Sequence, residues 1–124
     1  MTRIPGTGLD IRPLVLGTNT FGWTADEHDS HAILDAFLGA GGSLVDSADG
    51  YSHWVDGNNG GESERIIGSW LEKGGRREDI VIATKVATHP EFKGLAPENI
   101  SAAVDASLAR LHTDPIDQIG RVHV

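Results

Sequence analysis

Apolar residues recur along this chain with two periods, and the two alternate. Leu14-Val15-Leu16, Ser43–Ala48 and Asp79–Val86 are short, nearly continuous apolar runs. That is how strands covered on both faces read. Between and after them the spacing changes to that of helices. Ile33, Leu34, Phe37 and Leu38 make an apolar stripe over a helix at about Asp26–Gly39, and Gly39-Ala40-Gly41-Gly42 ends it. Thr24 and Glu27 have capping-box spacing at its start. A second helix runs from about Glu62 to Lys73, burying Ile66, Ile67, Trp70 and Leu71 before Gly74-Gly75. Pro97 opens a third, in which Ile100, Ala103, Val104, Ser107, Leu108 and Leu111 follow the helical template. Ala96 is a weak N-cap for it, worth on the order of 1 kcal/mol less than Ser or Asp. Ile116–Val124 begins a fourth strand. Residues 2–12 read as a hairpin turning at Gly6-Thr7-Gly8, with Ile4, Leu9 and Ile11 as its apolar contacts. Gly50–Gly61 and His89–Leu95 read as loops.

The order is hairpin, then βαβαβαβ. Such alternation implies a parallel sheet with helical crossovers. Three units in about 110 residues match the repeat length of a (β/α)8 barrel, which needs roughly 250 residues when complete. The expected fold class is therefore α/β, a partial TIM (β/α)8 barrel with an N-terminal β-hairpin, strands 1–4 and helices 1–3. Residues 1–124 would form one incomplete domain. The first and fourth strands would each lack a barrel neighbour, and open edges favour self-association.

Charge narrows the partners. Ten Lys and Arg against 18 Asp and Glu leave a net charge of -8, which argues against nonspecific binding to nucleic acid or an anionic membrane. No cysteine is present, so there is no disulfide framework and no thiolate nucleophile or metal ligand. Met1-Thr2-Arg3-Ile4-Pro5-Gly6 lacks a signal-peptide apolar region, and no apolar run approaches the roughly 20 residues that span a bilayer. The expected location is the cytoplasm. Oligomeric state is not readable from the sequence.

Candidate chemistry gathers at strand ends. Asp46 lies near the end of the second strand with Tyr51 five residues on, and Lys85 lies near the end of the third. In parallel α/β proteins the C-terminal strand ends carry the active site. A carboxylate, a phenol and an amine converging there describe a tuned acid. The amine favours the phenolate, the carboxylate holds the amine, and the phenol can give up its proton. Tyr51 is the only tyrosine. Read singly, Asp46 could cap the following loop and Lys85 could be a solvated strand end. His53 and Trp54 read equally as substrate-mouth residues or as exposed loop residues, and Asp49 and Asp56 as loop carboxylates. His28 and His31 are three apart on a helix, but no metal-ligand pattern such as H-E-x-x-H occurs and no metal is expected. Ser47 and Ser63 lack a G-x-S-x-G elbow. Lys85 as a Schiff-base nucleophile remains an alternative on a barrel, which the accompanying Asp46 and Tyr51 disfavour.

Taken together, these pieces resemble the aldo-keto reductases over about residues 3–117. They are the hairpin with Gly6-Thr7-Gly8, Leu16-Gly17-Thr18 with Phe21-Gly22, and Asp46-Ser47-Ala48-Asp49-Gly50-Tyr51. Gly61-Glu62-Ser63-Glu64, Ile67-Gly68, and Arg77-Glu78-Asp79 leading to Thr84-Lys85 continue the match. The resemblance implies an NADPH-dependent oxidoreductase acting on a small-molecule carbonyl, an aldehyde or ketone. It implies that Tyr51 protonates the carbonyl oxygen, with Lys85 and Asp46 supporting it. Gly17, Thr18 and Asp46 would lie near the nicotinamide half of the cofactor. The absence of a Rossmann G-x-G-x-x-G is consistent with this family, which binds its cofactor at barrel loops.

The family's fourth catalytic residue is a histidine five residues after the Asp of an Ile-Asp pair. Here Ile116-Asp117 leads to Val122 at that position, and His123 lies six residues on. A shift of one residue turns a strand side chain to the other face. A bulge at Gly120 would restore the facing. A frameshift or early stop after Asp117 would explain both this tail and the length, and on that reading the chain alone does not reduce carbonyls. Two other readings stay open: a non-catalytic nucleotide-binding or regulatory subunit of the same type, and a remnant without activity.

Overall fold

The computed structural model describes residues 1–122. Four strands, β3 (Val15–Gly17), β4 (Leu44–Asp46), β5 (Val81–Val86) and β8 (Gln118–Arg121), form a parallel sheet in the order β3-β4-β5-β8. Before it comes the antiparallel hairpin of β1 (Thr2–Arg3) and β2 (Asp10–Ile11). The helices are α1 (Glu27–Gly39), α2 (Glu62–Glu72) and α3 (Pro97–Leu111). The fold class is thus the expected α/β one. A short antiparallel pair, β6 (Thr88–His89) and β7 (Phe92–Lys93), occupies what the sequence reads as a plain loop. Ala87, at φ 104, turns the chain out of β5 into that pair.

Strand alternation gives the sheet two different faces. Val45 and Ile82 point to the helices and join Leu34 of α1, Ile67 and Trp70 of α2, Leu111 of α3 and Phe21 in one core. Leu44 and Ala83 point the other way and pack with Ile11 and Ile4 of the hairpin. The hairpin therefore closes the N-terminal end of the inner face. The register pairs Gly17 with Asp46 and Asp46 with Ala83, so these three share one level of the inner face, next above Leu44. Lys85 sits one level above Ala83, on the same face. The C-terminal end of the inner face is left for polar groups.

Local expectations fare unevenly. Asp26, not Thr24, caps α1, accepting from the backbone N–H of Asp29 at 2.8 Å. Ile33 is exposed although its neighbour Leu34 is fully buried. One helical step is about 100°, enough to carry a side chain off the stripe that faces α2. Ala96 precedes α3 without a side-chain cap, as expected. The β8 ladder runs unbroken from Gln118 to Arg121, so there is no bulge at Gly120 within the described residues. Edge strands β3 and β8 leave Leu14, Val15 and Ile119 exposed.

Gly68 lets α2 and α3 approach closely. A Cβ built there would lie 2.0 Å from the carbonyl oxygen of Arg110. Gly39, at the end of α1, has open space around it. Gly68→Ala is predicted to destabilise the fold by about 1–3 kcal/mol or more through overpacking. Gly39→Ala is predicted to be neutral or stabilising by up to about 1 kcal/mol. Urea denaturation midpoints of the two variants test the contrast.

Candidate active site

Lys85 organises the open end of the inner face. Its Nζ donates to Asp46 Oδ1 at 2.8 Å, to the Ser47 carbonyl oxygen at 2.8 Å and to Tyr51 Oη at 2.9 Å. An ammonium has three N–H donors, so all are engaged. Side-chain exposure is 22% for Lys85 and 33% for Asp46, so the pair is sheltered from bulk water but reachable from the mouth. The three residues that the sequence singles out are therefore in mutual contact. A proton leaving Tyr51 Oη would leave behind a negative charge that already accepts from an ammonium.

Backbone pairing places these side chains. The segment after β4 stays zipped to β5, with the Ser47 N–H donating to Ala83 O at 2.8 Å and the Asp49 N–H to Lys85 O at 3.0 Å. The Tyr51 N–H then donates to Ala48 O at 3.3 Å, which turns the phenol back over Lys85. Ser52 follows in the left-handed region at φ 69, buried, with its hydroxyl donating to Phe21 O at 2.7 Å. Asn58 Nδ2 donates to both Gly22 O and Ser52 O at 3.0 Å. The 50–61 loop is thereby tied to the loop after β3.

Behind the site runs a chain of buried hydroxyls. Thr18 Oγ1 donates to the Asp46 carbonyl oxygen at 3.0 Å. Ser63 Oγ lies 2.8 Å from Thr18 Oγ1 and 2.9 Å from Thr18 O, and Ser47 Oγ lies 2.9 Å from Ser63 Oγ. The Thr18 hydroxyl thus faces inward and joins the ends of β3 and β4. Gly17 is exposed beside Asp46, and a Cβ there would meet only Asn19 Oδ1, at 3.9 Å. His123 lies outside the described residues. Among those described, Gly120 is paired with Lys85, on the same face of the sheet.

Aromatic rings line one side of the mouth. Tyr51 and Trp54 meet edge to face at 6.4 Å, Trp54 and Trp23 at 5.7 Å, and Trp54 and His53 at 5.6 Å. Trp23 and Trp54 are about half exposed. Of the two histidines weighed as metal ligands, His31 instead has Nε2 3.0 Å from both Ile66 O and Ser69 Oγ. No group of three His, Asp or Glu side chains among the described residues is arranged to hold a metal ion.

A second ionic layer sits on the helix side of β5. Glu64 is fully buried, with Oε1 accepting from Thr84 Oγ1 at 2.6 Å and Oε2 from Arg110 Nε at 2.7 Å. Asp49 is also fully buried, and neither carboxyl oxygen has a hydrogen-bond partner. Burial, reinforced by the negative charge of Glu64, pushes its carboxyl up to about 7, and Arg110 and the adjacent Gly50 amide oppose this more weakly. Thr18 is a site candidate from the sequence, whereas Ser52 and Asn58 are not, and Ser63 and Glu64 enter there only within the Gly61–Glu64 motif. The one available signal was polarity at helical core positions, since Ser63 and Glu64 share the buried face of α2 with Ile67.

Comparison with known proteins agrees with this arrangement. The sequence matches the model of the Aldo/keto reductase family over residues 13–123. It is 53% identical over 83 residues to an uncharacterized 11.2 kDa protein in the crtE 3′ region of Pseudescherichia vulneris, covering 66% of this chain and 81% of that one. It is 39% identical over 123 residues to Protein tas of Escherichia coli strain K12, covering 93% of this chain but only 36% of that protein. A solved Pseudomonas aeruginosa structure described as a candidate aldo-keto reductase superposes with a TM-score of 0.78 at 31% identity. It covers 94% of this chain, which spans 43% of it. The four parallel strands thus correspond to part of a larger barrel.

The buried Asp49 has a signature in stability. A carboxyl at about 7 in the folded protein, against an ordinary value of 3.8, holds its proton more tightly when folded. Its contribution is fully present below about pH 4 and is lost as the pH rises through about 7. Urea unfolding from pH 4 to 8 should show the wild type losing stability relative to Asp49→Asn across that window.

Proposed function

The chain belongs to the aldo/keto reductase family, and on that premise we propose that it carries the proton-donating half of an NADPH-dependent aldehyde or ketone reductase acting in the cytoplasm. The observation behind this reading is the triple donation from Lys85 Nζ to Asp46, Ser47 and Tyr51. Family membership makes the chain a relative of oxidoreductases. The cofactor, the carbonyl substrate and the roles of single residues are our assignment. No helix among the described residues is long and apolar enough to cross a membrane.

Gly17 and Asp46, with the backbone of Thr18, would hold the nicotinamide end of the cofactor. The bare, open backbone of Gly17 beside a carboxylate fits a flat amide-bearing ring. NADPH, when bound, supplies the hydride. The chain's own residues supply the rest. Tyr51 Oη–H donates a proton to the substrate carbonyl oxygen as negative charge gathers there. Lys85 keeps its N–H directed at Tyr51 Oη, so the resulting phenolate is stabilised without rearrangement. Asp46 balances the ammonium, and Ser47 O fixes its third hydrogen. Trp23 and Trp54 give the mouth an apolar wall that suits a non-polar carbonyl compound and sheds water. The family's carbonyl-orienting histidine has its nearest counterpart in His123.

The isolated 124-residue chain is predicted to show no NADPH oxidation at 340 nm with aldehydes, because β3 and β8 remain open edges. Joining residues 1–117 to the part of the Escherichia coli relative that follows the matched region should give a working reductase. In that chimera Tyr51→Phe is expected to lower kcat by roughly 10²–10⁴-fold with the circular dichroism unchanged. Full turnover by the Tyr51→Phe chimera would overturn the assignment.

A further inference from the structure

We propose that Asp49 is a positioning residue for the Lys85–Tyr51 pair, its carboxyl buried beside the backbone hydrogen bond to Lys85 so that the turn carrying Tyr51 stays on β5. The proposal rests on the reductase reading, because it concerns the same site.

Four observations carry it. First, Asp49 sits between Asp46 and Tyr51, and its own N–H donates to the carbonyl oxygen of Lys85 at 3.0 Å. Its backbone is thus joined to the residue that holds Tyr51. Second, its side chain is fully buried and both carboxyl oxygens lack a partner. An ionised carboxylate in that state is heavily penalised, whereas a neutral acid is tolerated. Third, Glu64, whose charge acts on Asp49, has both oxygens engaged, by Thr84 and by Arg110. Thr84 is the residue before Lys85, so the Glu64 contact also bears on the end of β5. Fourth, Arg110 has little room to move. Its side chain is 12% exposed, and a Cβ on Gly61 would lie 2.4 Å from its Cδ.

Two charged side chains act on Asp49, and the other ionisable groups of this end of the sheet belong to different elements. Glu64 belongs to α2 and Arg110 to α3, while Lys85 of β5 and Asp46 of β4 lie on the inner face of the sheet. His89 of β6 feels the same Arg110 and Glu64, and burial, then Arg110, lowers its ring below the ordinary range. It is therefore neutral where Asp49 ionises. Arg110, held in place on Glu64, is then the one cation balancing two buried carboxylates, and the unpaired charge is relieved when the 47–51 segment moves off β5. That loosens the contact between Tyr51 and Lys85. With Asp49 as the neutral acid the contact is at its tightest. Ionisation of Asp49 near pH 7 is expected to weaken it.

The test needs no turnover, so it can fail independently of the reductase reading. Tyr51 is the only tyrosine, so the full chain made with ring-13C tyrosine gives the signals of one residue. Those signals, followed from pH 5 to 8.5, should shift with an inflection near pH 7. Asp49→Asn, fixed in the neutral state, should abolish the inflection and keep the low-pH position throughout. Glu64→Gln, which removes the negative charge acting on Asp49, should move it to lower pH. It carries the test should Asp49→Asn not fold. A flat wild-type profile would overturn the proposal, as would an inflection unchanged in Asp49→Asn or unmoved in Glu64→Gln. A chimera that reduces no carbonyl while the inflection is present and responsive would remove the reductase reading alone.

Discussion

Everything at the open end of this sheet depends on a single ammonium. Lys85 is the one group that touches the end of β4, the turn after it and the Tyr51 phenol at once. Lysine is suited to this because its charge is compact and its three donors can point in three directions. An arginine would present a planar fork that cannot meet the same three acceptors. Without the ammonium, Asp46 would be a partly buried carboxylate with no counter-charge, and the Ser47 carbonyl and Tyr51 hydroxyl would lose their common donor. The geometry of the acid and the local stability of the strand end are therefore one property.

The scaffold can afford a polar cluster there because the two ends of the inner face are treated differently. At the N-terminal end Ile11 of the hairpin closes over Leu44 and Ala83. On the other face the three helices bury Val45 and Ile82. The strands are thus gripped from both sides below the site, and the last inward positions, Asp46 and Lys85, can face away from apolar contact. Behind them the polar groups on the helix side are nearly all paired, in the Thr18–Ser63–Ser47 hydroxyl chain and the Thr84–Glu64–Arg110 relay. Asp49 and, lower on the sheet, Ser43 are exceptions among the described residues, and the unpartnered Asp49 carboxyl lies one backbone hydrogen bond from Lys85.

Much of this was legible in the sequence. Nearly continuous apolar runs separated by helical stripes identified β4, β5 and all three helices, because burial on two faces leaves a strong pattern. Asp46, Tyr51 and Lys85 were legible because polar residues at the ends of apolar strands conflict with that pattern. The supporting layer was not. Ser63 and Glu64 enter the sequence reading only within the Gly61–Glu64 motif, and only the packing shows that they are buried, Ser63 against Thr18 and Ser47 and Glu64 against Thr84 and Arg110. Thr18 reads as a residue beside the cofactor, and the sequence does not show that its hydroxyl bonds the end of β4. The β6–β7 pair was missed because two-residue strands leave no periodicity. The α1 cap was misplaced because Thr24 and Asp26 both have side chains that can cap, and backbone geometry chose between them. His123 lies outside the described residues, so the one-residue offset from Asp117 stays a feature of the sequence.

The central claim is that Lys85 and Asp46 support each other within the folded chain. A double-mutant cycle measures this directly: urea unfolding of the wild type, Asp46→Asn, Lys85→Met and the double variant at pH 7. The account predicts non-additivity, with a coupling of about 0.5–3 kcal/mol. Asp46→Asn should be costly beside Lys85 and nearly neutral once Lys85 is replaced. Equal costs for Asp46→Asn in both backgrounds would contradict the account, and the cluster at the strand ends would then be proximity without mutual support.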